Sequence, residues 1–280
     1  MIVLSISGGI IFLLPFLQEV YYKPLAQALS LNNTEVGSLM SVFGVTSLIS
    51  YFPGGLLADR VSPRKLISLS LLLTGITGLY FSTFPGYGIS LALHAFWGVS
   101  ISLLFWGAMI RMTRNWAPAD EQGRAFGILE TGRGLGEVLS SAALLSVFVA
   151  LGSGDYALSM VIVLFSGFIL ALGILAWFTL EDKVADKENS NPGQRIGLEE
   201  IISALKMPVV WLIATVILTG YCAYWGTFRF TSYATDIFTM SVAIAASISV
   251  GKMWLKPLAA FIAGFIADRF GIARTVASLF

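Results

Sequence analysis

The chain has 280 residues, of which 56% are hydrophobic and only 12% charged, against about 25% charged in an ordinary soluble domain. So little polar surface excludes a soluble cytoplasmic enzyme and a disordered chain, and a formal net charge of +1 leaves no electrostatic surplus for nucleic acid. One cysteine, Cys222, and one histidine, His94, exclude an intramolecular disulfide framework and argue against a Cys- or His-based zinc site. The remaining class is an all-α polytopic membrane protein that calls for no cofactor.

A membrane-crossing helix needs about 20 mostly apolar residues. In chain order the predicted spans are Ile2–Tyr22, Glu35–Leu57, Leu66–Phe84, Tyr87–Arg111, Ala125–Leu151, Tyr156–Leu180, Pro208–Phe230 and Ser241–Ala267, with a ninth apolar run starting at Thr275. The first follows Met1 with no basic leader, so it reads as a span and not as a cleaved signal peptide. Basic residues fall on alternate connections. Arg60, Arg64, Lys65, Arg111, Arg114, Arg124, Lys183, Lys187, Arg195, Lys206, Arg269 and Arg274 share one side, and Lys23 and Arg229 lie on the other. The excess of Lys and Arg marks the cytoplasmic face, which puts the N-terminus in the cytoplasm. The long polar segment 181–206 reads as a linker ending in a short amphipathic helix, Leu198–Leu205.

The sequence repeats itself. Gly55-Leu-Leu-Ala-Asp59-Arg60-Val-Ser-Pro-Arg64-Lys65 follows the second span, and Gly264-Phe-Ile-Ala-Asp268-Arg269-Phe-Gly-Ile-Ala-Arg274 follows the eighth. A six-span unit repeated in parallel is a transporter arrangement. Both copies resemble the loop motif of the major facilitator superfamily, and Gln122-Gly-Arg-Ala-Phe-Gly127 resembles the segment after that family's fourth helix. The first copy departs from the motif at Ser62-Pro63, the second at Ala273. The resemblance implies a helical bundle with an N-terminal six-helix half over 1–180, a cytoplasmic linker over 181–206 and a partial C-terminal half over 207–280. It also implies twelve spans in a full member, so the chain reads as a C-terminally truncated fragment or split product. In the family the motif helps close the cytoplasmic gate, which makes Gly55, Asp59, Arg60, Arg64, Lys65, Gly264, Asp268, Arg269 and Arg274 gating candidates. The plainer alternative is that Asp-Arg starts a tight cytoplasmic turn.

Ionisable residues inside spans are functional candidates. Glu130, Arg133 and Glu137 share one face of the fifth span at helical spacing, and on the eighth Lys256 lies near mid-depth with Lys252 about one turn further out. The resemblance sets these two helices face to face, which suggests the pairs Glu137–Lys252 and Glu130–Lys256. Three readings stay open: pairs that break as the halves rock, static pairs, and a layer of three cations against two acids that attracts an anion. The family's cavity is lined by helices one, four, seven and ten. Here these offer Glu19, Tyr22, His94, Tyr224, Trp225 and Arg229, with Glu19 and Arg229 suited to closing the outer side. Tyr and Trp near helix ends serve equally as an interfacial belt, and a membrane histidine is commonly a packing residue.

No phosphate-cradling loop, Ser-His-Asp order or paired metal ligands are legible, which argues against an enzyme. The expectation is a secondary active transporter of a small organic solute, an organic anion or sugar derivative, in a bacterial inner membrane. It would work by alternating access as a symporter or antiporter, with a coupled proton or an exchanged anion. A sensor on the same scaffold, or a non-functional truncated transporter, is the alternative.

Overall fold

The computed structural model describes residues 1–118, 121–181, 203, 205–271 and 274–275. The linker, the helix Leu198–Leu205 and the ninth run fall almost wholly outside them. The described elements are helical: α1 (Ile2–Ile10), α2 (Gln18–Ala28), α3 (Asn33–Arg60), α4 (Pro63–Phe81), α5 (Tyr87–Ser100), α6 (Gly107–Arg114), α7 (Gln122–Ala150), α8 (Asp155–Thr179), α9 (Pro208–Gly226), α10 (Phe230–Asp236), α11 (Val242–Met253) and α12 (Leu255–Phe270). A π-helical turn, Ile101–Trp106, joins α5 to α6, and a 3-10 turn, Thr227–Arg229, joins α9 to α10.

Six helical stretches among the described residues are long and apolar enough to cross a membrane: Asn33–Arg60, Tyr87–Arg114, Gln122–Ala150, Asp155–Thr179, Pro208–Asp236 and Val242–Phe270. That is fewer than the eight expected. The first expected span is no straight helix: α1 ends at Ile10, residues 11–17 form successive turns, and α2 kinks at Tyr21. Pro15 and Pro24 explain this, since each lacks an N–H and its ring displaces the carbonyl four residues back. The third expected span corresponds to α4, whose first turn carries Arg64 and Lys65.

Local chemistry sets several ends. Asn32 and Glu35 form a reciprocal capping box at the start of α3. The departure of the first loop motif at Ser62-Pro63 has a structural use: Ser62 caps α4 by accepting from the Lys65 N–H, and Pro63 occupies its first turn. Pro257 separates α11 from α12 at Trp254. α4 packs along α8, α3 along α5 and the π turn, and α7 against both α1 and α12. α9 has no buried residue; its Trp211, Leu212, Ile217 and Leu218 are exposed, as suits a helix bathed in lipid or met by another helix.

Candidate functional site

The interior of the bundle is built around three ion pairs. Arg133, on α7, is 7% exposed. It pairs with Glu130 one turn earlier, and its Nε donates to the Gly8 carbonyl at 3.1 Å. Its guanidinium lies 5.0 Å from the Trp106 ring and 5.8 Å from Phe12, within cation–π range. Gly9 makes this possible: a Cβ there would overlap the Arg133 backbone, so only glycine lets α1 and α7 approach so closely.

The second pair is Glu137–Lys256, at 2.7 Å. The third is Glu19–Lys252, at 2.9 Å, with Glu19 2% exposed. Lys252 Nζ also donates to the Thr227 carbonyl and hydroxyl at 3.0 and 3.2 Å and lies 5.5 Å from the Phe228 ring. The Thr231 hydroxyl donates to the Glu19 carbonyl at 2.6 Å and shares a 2.6 Å contact with Ser249 Oγ. The second and third pairs connect the α1–α8 part, which supplies both acids, to the α9–α12 part, which supplies both bases.

This pairing differs from the expected one. Lys256 meets Glu137, Glu130 stays with Arg133 on its own helix, and Glu19 takes Lys252. Bringing in Glu19 balances the layer at three acids and three bases, so the cationic surplus read from the sequence is absent from these three pairs. Arg229 does not close on Glu19; its guanidinium stacks 5.5 Å over the Tyr22 ring, while the Tyr22 hydroxyl donates to Asn33 at 2.8 Å. Arg229 and Lys252 line one cavity of about 460 Å³ together with Thr227, Phe230 and Tyr233. Trp225 stacks on Phe228 at 4.6 Å and meets Phe16 edge-on; Tyr224 meets Phe228 edge-on. His94 stands apart. It is buried against Phe81 and Trp97, with Nδ1 2.8 Å from the Ser90 carbonyl, and acts there as a packing residue.

The two loop motifs sit differently. In the second, Gly264 crosses Gly127: a Cβ on Gly264 would stand 2.9 Å from the Gly127 Cα. Asp268 packs on Gly123, and its carboxylate is 3.7 Å from Arg124 Nε. In the first, Gly55, Asp59 and Arg60 are exposed, and a Cβ on Gly55 would meet nothing within 4 Å. The close helix approach in this segment falls one residue earlier, where Gly54 packs on the backbone of Ser102 and Leu103. Arg64 lies over the Trp177 ring, Arg269 over Phe270, and Lys65 and Arg274 are exposed.

Sequence reasoning missed Phe12, Phe16, Phe228 and Thr231. Phe12 and Phe16 sit four residues apart, a helical signal hidden in a uniformly apolar run. Trp106 ends the π turn, a device associated with functional sites that shifts register without leaving any periodicity to read.

Broken helices, buried charge pairs between two parts and a duplicated loop motif define a polytopic membrane protein of transporter architecture. The model of the Major Facilitator Superfamily matches residues 1–280, and the chain belongs to that family, whose members are transporters and not enzymes. It is 30% identical over 272 residues to the inner membrane protein YihN of Escherichia coli, covering 95% of this chain and 64% of that one. It is 23% identical to the hexuronate transporter of Bacillus subtilis, covering 91% of this chain and 58% of that one. A solved structure of a bacterial homologue of the human lysosomal transporter Spinster, inward-facing and unoccupied, superposes with a TM-score of 0.69 at 16% identity. It covers 96% of this chain and 62% of that one. The chain thus spans about three-fifths of the length of each of these three proteins.

Proposed function

We propose that the protein is a secondary transporter that moves a small organic anion, a sugar acid or related derivative, by alternating access. The observation that carries this reading is the pair of Glu–Lys bridges between α1–α8 and α9–α12. They are the least exposed of the four described ion pairs that join the two parts, the others being Lys23–Asp236 and Arg124–Asp268, and they are contacts that rocking would break. The halves are residues 1–180 and 207–280, with 181–206 as their linker. The basic loops and the N-terminus face the cytoplasm. The contact of Gly264 and Asp268 with Gly123–Gly127 serves as a gate on that side, and the exposed Gly55–Lys65 copy offers the equivalent surface.

The anion preference rests on the cavity at Arg229 and Lys252. Its volume, about 460 Å³, falls within the range of small-molecule sites. Arg229 has no acidic partner among the described residues, so a carboxylate or phosphate would meet a free guanidinium. Phe230 and Tyr233 give the organic body an apolar wall and a hydroxyl. The relative named for hexuronates supports the same chemical class. A coupled proton or an exchanged anion would supply the driving force.

The test is uptake by the full-length protein in proteoliposomes, using a panel of labelled hexuronates, hexose phosphates and nitrate. Uptake of one panel member, lost in Arg229→Ala, supports the reading. Binding of a solute without uptake indicates a sensor on the same scaffold and overturns it.

A further inference from the structure

α4 and α8 seal against each other and leave one apolar outer face. They run antiparallel in close register: a Cβ on Gly75 would overlap Leu170, and one on Gly173 would stand 3.1–3.2 Å from Leu71 and Leu72. Further along, Ser159 Oγ donates to the Ser82 carbonyl at 2.8 Å. The exposed stripe of α4 runs through Leu69, Ile76 and Tyr80, and that of α8 through Leu164, Phe168, Leu175 and Phe178. The steps of three, four and seven residues keep each stripe on one side of its helix. In a membrane this face meets lipid.

Both stripes finish, at the same end of the pair, on polar groups. Lys65, four residues before Leu69, continues the α4 stripe and is exposed; a lysine so placed lays its apolar stem along the helix and carries its ammonium to the headgroups. The Arg64 guanidinium lies 5.3 Å over the Trp177 ring, and Trp177 is still 43% exposed. A tryptophan at such a helix end marks the headgroup level. Stacking uses the flat face of a guanidinium and leaves its N–H edge to meet an oxyanion. The site is built from side chains and not from the helix N-terminus, where Ser62 Oγ accepts from the Lys65 N–H. Asp59 and Arg60, at the end of α3, offset each other. The acid that follows Trp177 in the chain, Glu181, is exposed and lies four residues on, about 6 Å further towards water at helical rise. Asp182 and Lys183 come next with opposite charges, outside the described residues. The two cations thus stand at the phosphate level, with the acid beyond it.

We propose that Arg64, Lys65 and Trp177 form a binding site for the phosphate headgroup of an anionic phospholipid, whose acyl chains lie on the exposed stripes of α4 and α8. The phosphodiester matches the two cations in charge, whereas the quaternary ammonium of a choline lipid would be repelled by them. A free phosphate would meet the same cations and gain nothing from the stripes. The bound lipid ties the start of α4 to the end of α8, just before residues 181–206. Arg64 and Lys65 thereby serve a lipid face, while Gly55, Asp59 and Arg60 of the same motif lie on α3. The inference requires the bilayer and not transport.

The test is native mass spectrometry of the full-length protein in detergent. It is titrated with phosphatidylglycerol, phosphatidylethanolamine or phosphatidylcholine of matched acyl chains, or with inorganic phosphate. The first phosphatidylglycerol should bind about tenfold more tightly than the first phosphatidylcholine. Arg64→Gln with Lys65→Gln should remove that preference, each charge contributing about fivefold, and Trp177→Leu should reduce it. Arg114→Gln with Lys206→Gln, which removes two exposed charges on other elements, should change it less than about twofold. If the double variant at the site does not fold, Lys65→Gln alone, at an exposed side chain, should cost about fivefold. The proposal is overturned by equal binding of the three lipids, by a preference that survives in the site variants, or by equal loss in the control pair. Inorganic phosphate binding as tightly as the lipid would indicate a free-anion site and also overturns it. No transported solute is needed, so failure here is separate from failure of the uptake assay.

Discussion

Replacing Lys256 by methionine removes the ammonium that stands 2.7 Å from Glu137 and keeps most of the side-chain volume. The Glu137 carboxylate is only 12% exposed, whereas the Lys256 side chain is 33% exposed. At 4 Å and an effective dielectric of 20 the attraction of a unit pair is about 4 kcal/mol, and the partial exposure of the lysine reduces this. Stranding the buried carboxylate should therefore cost about 2–4 kcal/mol. Glu137→Gln strands the more accessible partner, which can reach water along its flexible stem, and should cost about 1–2 kcal/mol. With both substitutions no charge is stranded, and the combined cost should not exceed about 2 kcal/mol. The coupling energy is then on the order of 2 kcal/mol. A double-mutant cycle on unfolding in detergent measures it. Costs that add to within about 0.5 kcal/mol would refute the claim that this pair is a buried bridge between the two parts.

Other substitutions probe the packing. Gly264→Leu forces α12 away from α7, because even a Cβ would stand 2.9 Å from the Gly127 Cα. It should destabilise by about 1–3 kcal/mol, read from the unfolding midpoint, and abolish uptake. Thr231→Val removes a buried hydroxyl that bonds the Glu19 carbonyl and Ser249 and should cost about 1–2 kcal/mol, with the solute panel unchanged. His94→Phe keeps the ring contacts with Phe81 and Trp97 and loses one bond to the Ser90 carbonyl. It should leave uptake and its pH profile near those of the parent protein. Arg133→Lys keeps the charge but loses the planar stack on Trp106 and Phe12, and uptake should fall at least tenfold.

The helical class and the duplicated motif were legible because both are written in local chemistry. Long apolar runs can only be helices in lipid, and glycine, alanine, aspartate and arginine recur at fixed spacing. The partners within the charged layer were not legible. Depth along a straight helix at 1.5 Å per residue puts Glu19 towards the outer end of the first span. Pro15 and Pro24 break that helix, and the refolded path delivers the Glu19 carboxylate to Lys252. The same limit explains Gly55. The motif identifies a glycine near the end of the second span, but the π turn decides which neighbour meets the backbone opposite, and Gly54 is the one that does.

On the proposed transport cycle the two parts rock, and α7 and α12 separate near Gly127 and Gly264 each time. Arg124 and Phe265 flank that crossing, with the guanidinium 6.0 Å from the ring. The direct measurement replaces both by cysteine in a Cys222→Ser background and bridges them with a short, reducible thiol-specific linker. Uptake by the full-length protein is then followed in proteoliposomes before bridging, after it and after reduction. Bridging should stop uptake, and reduction should restore it. Undiminished uptake by fully bridged protein would contradict that cycle.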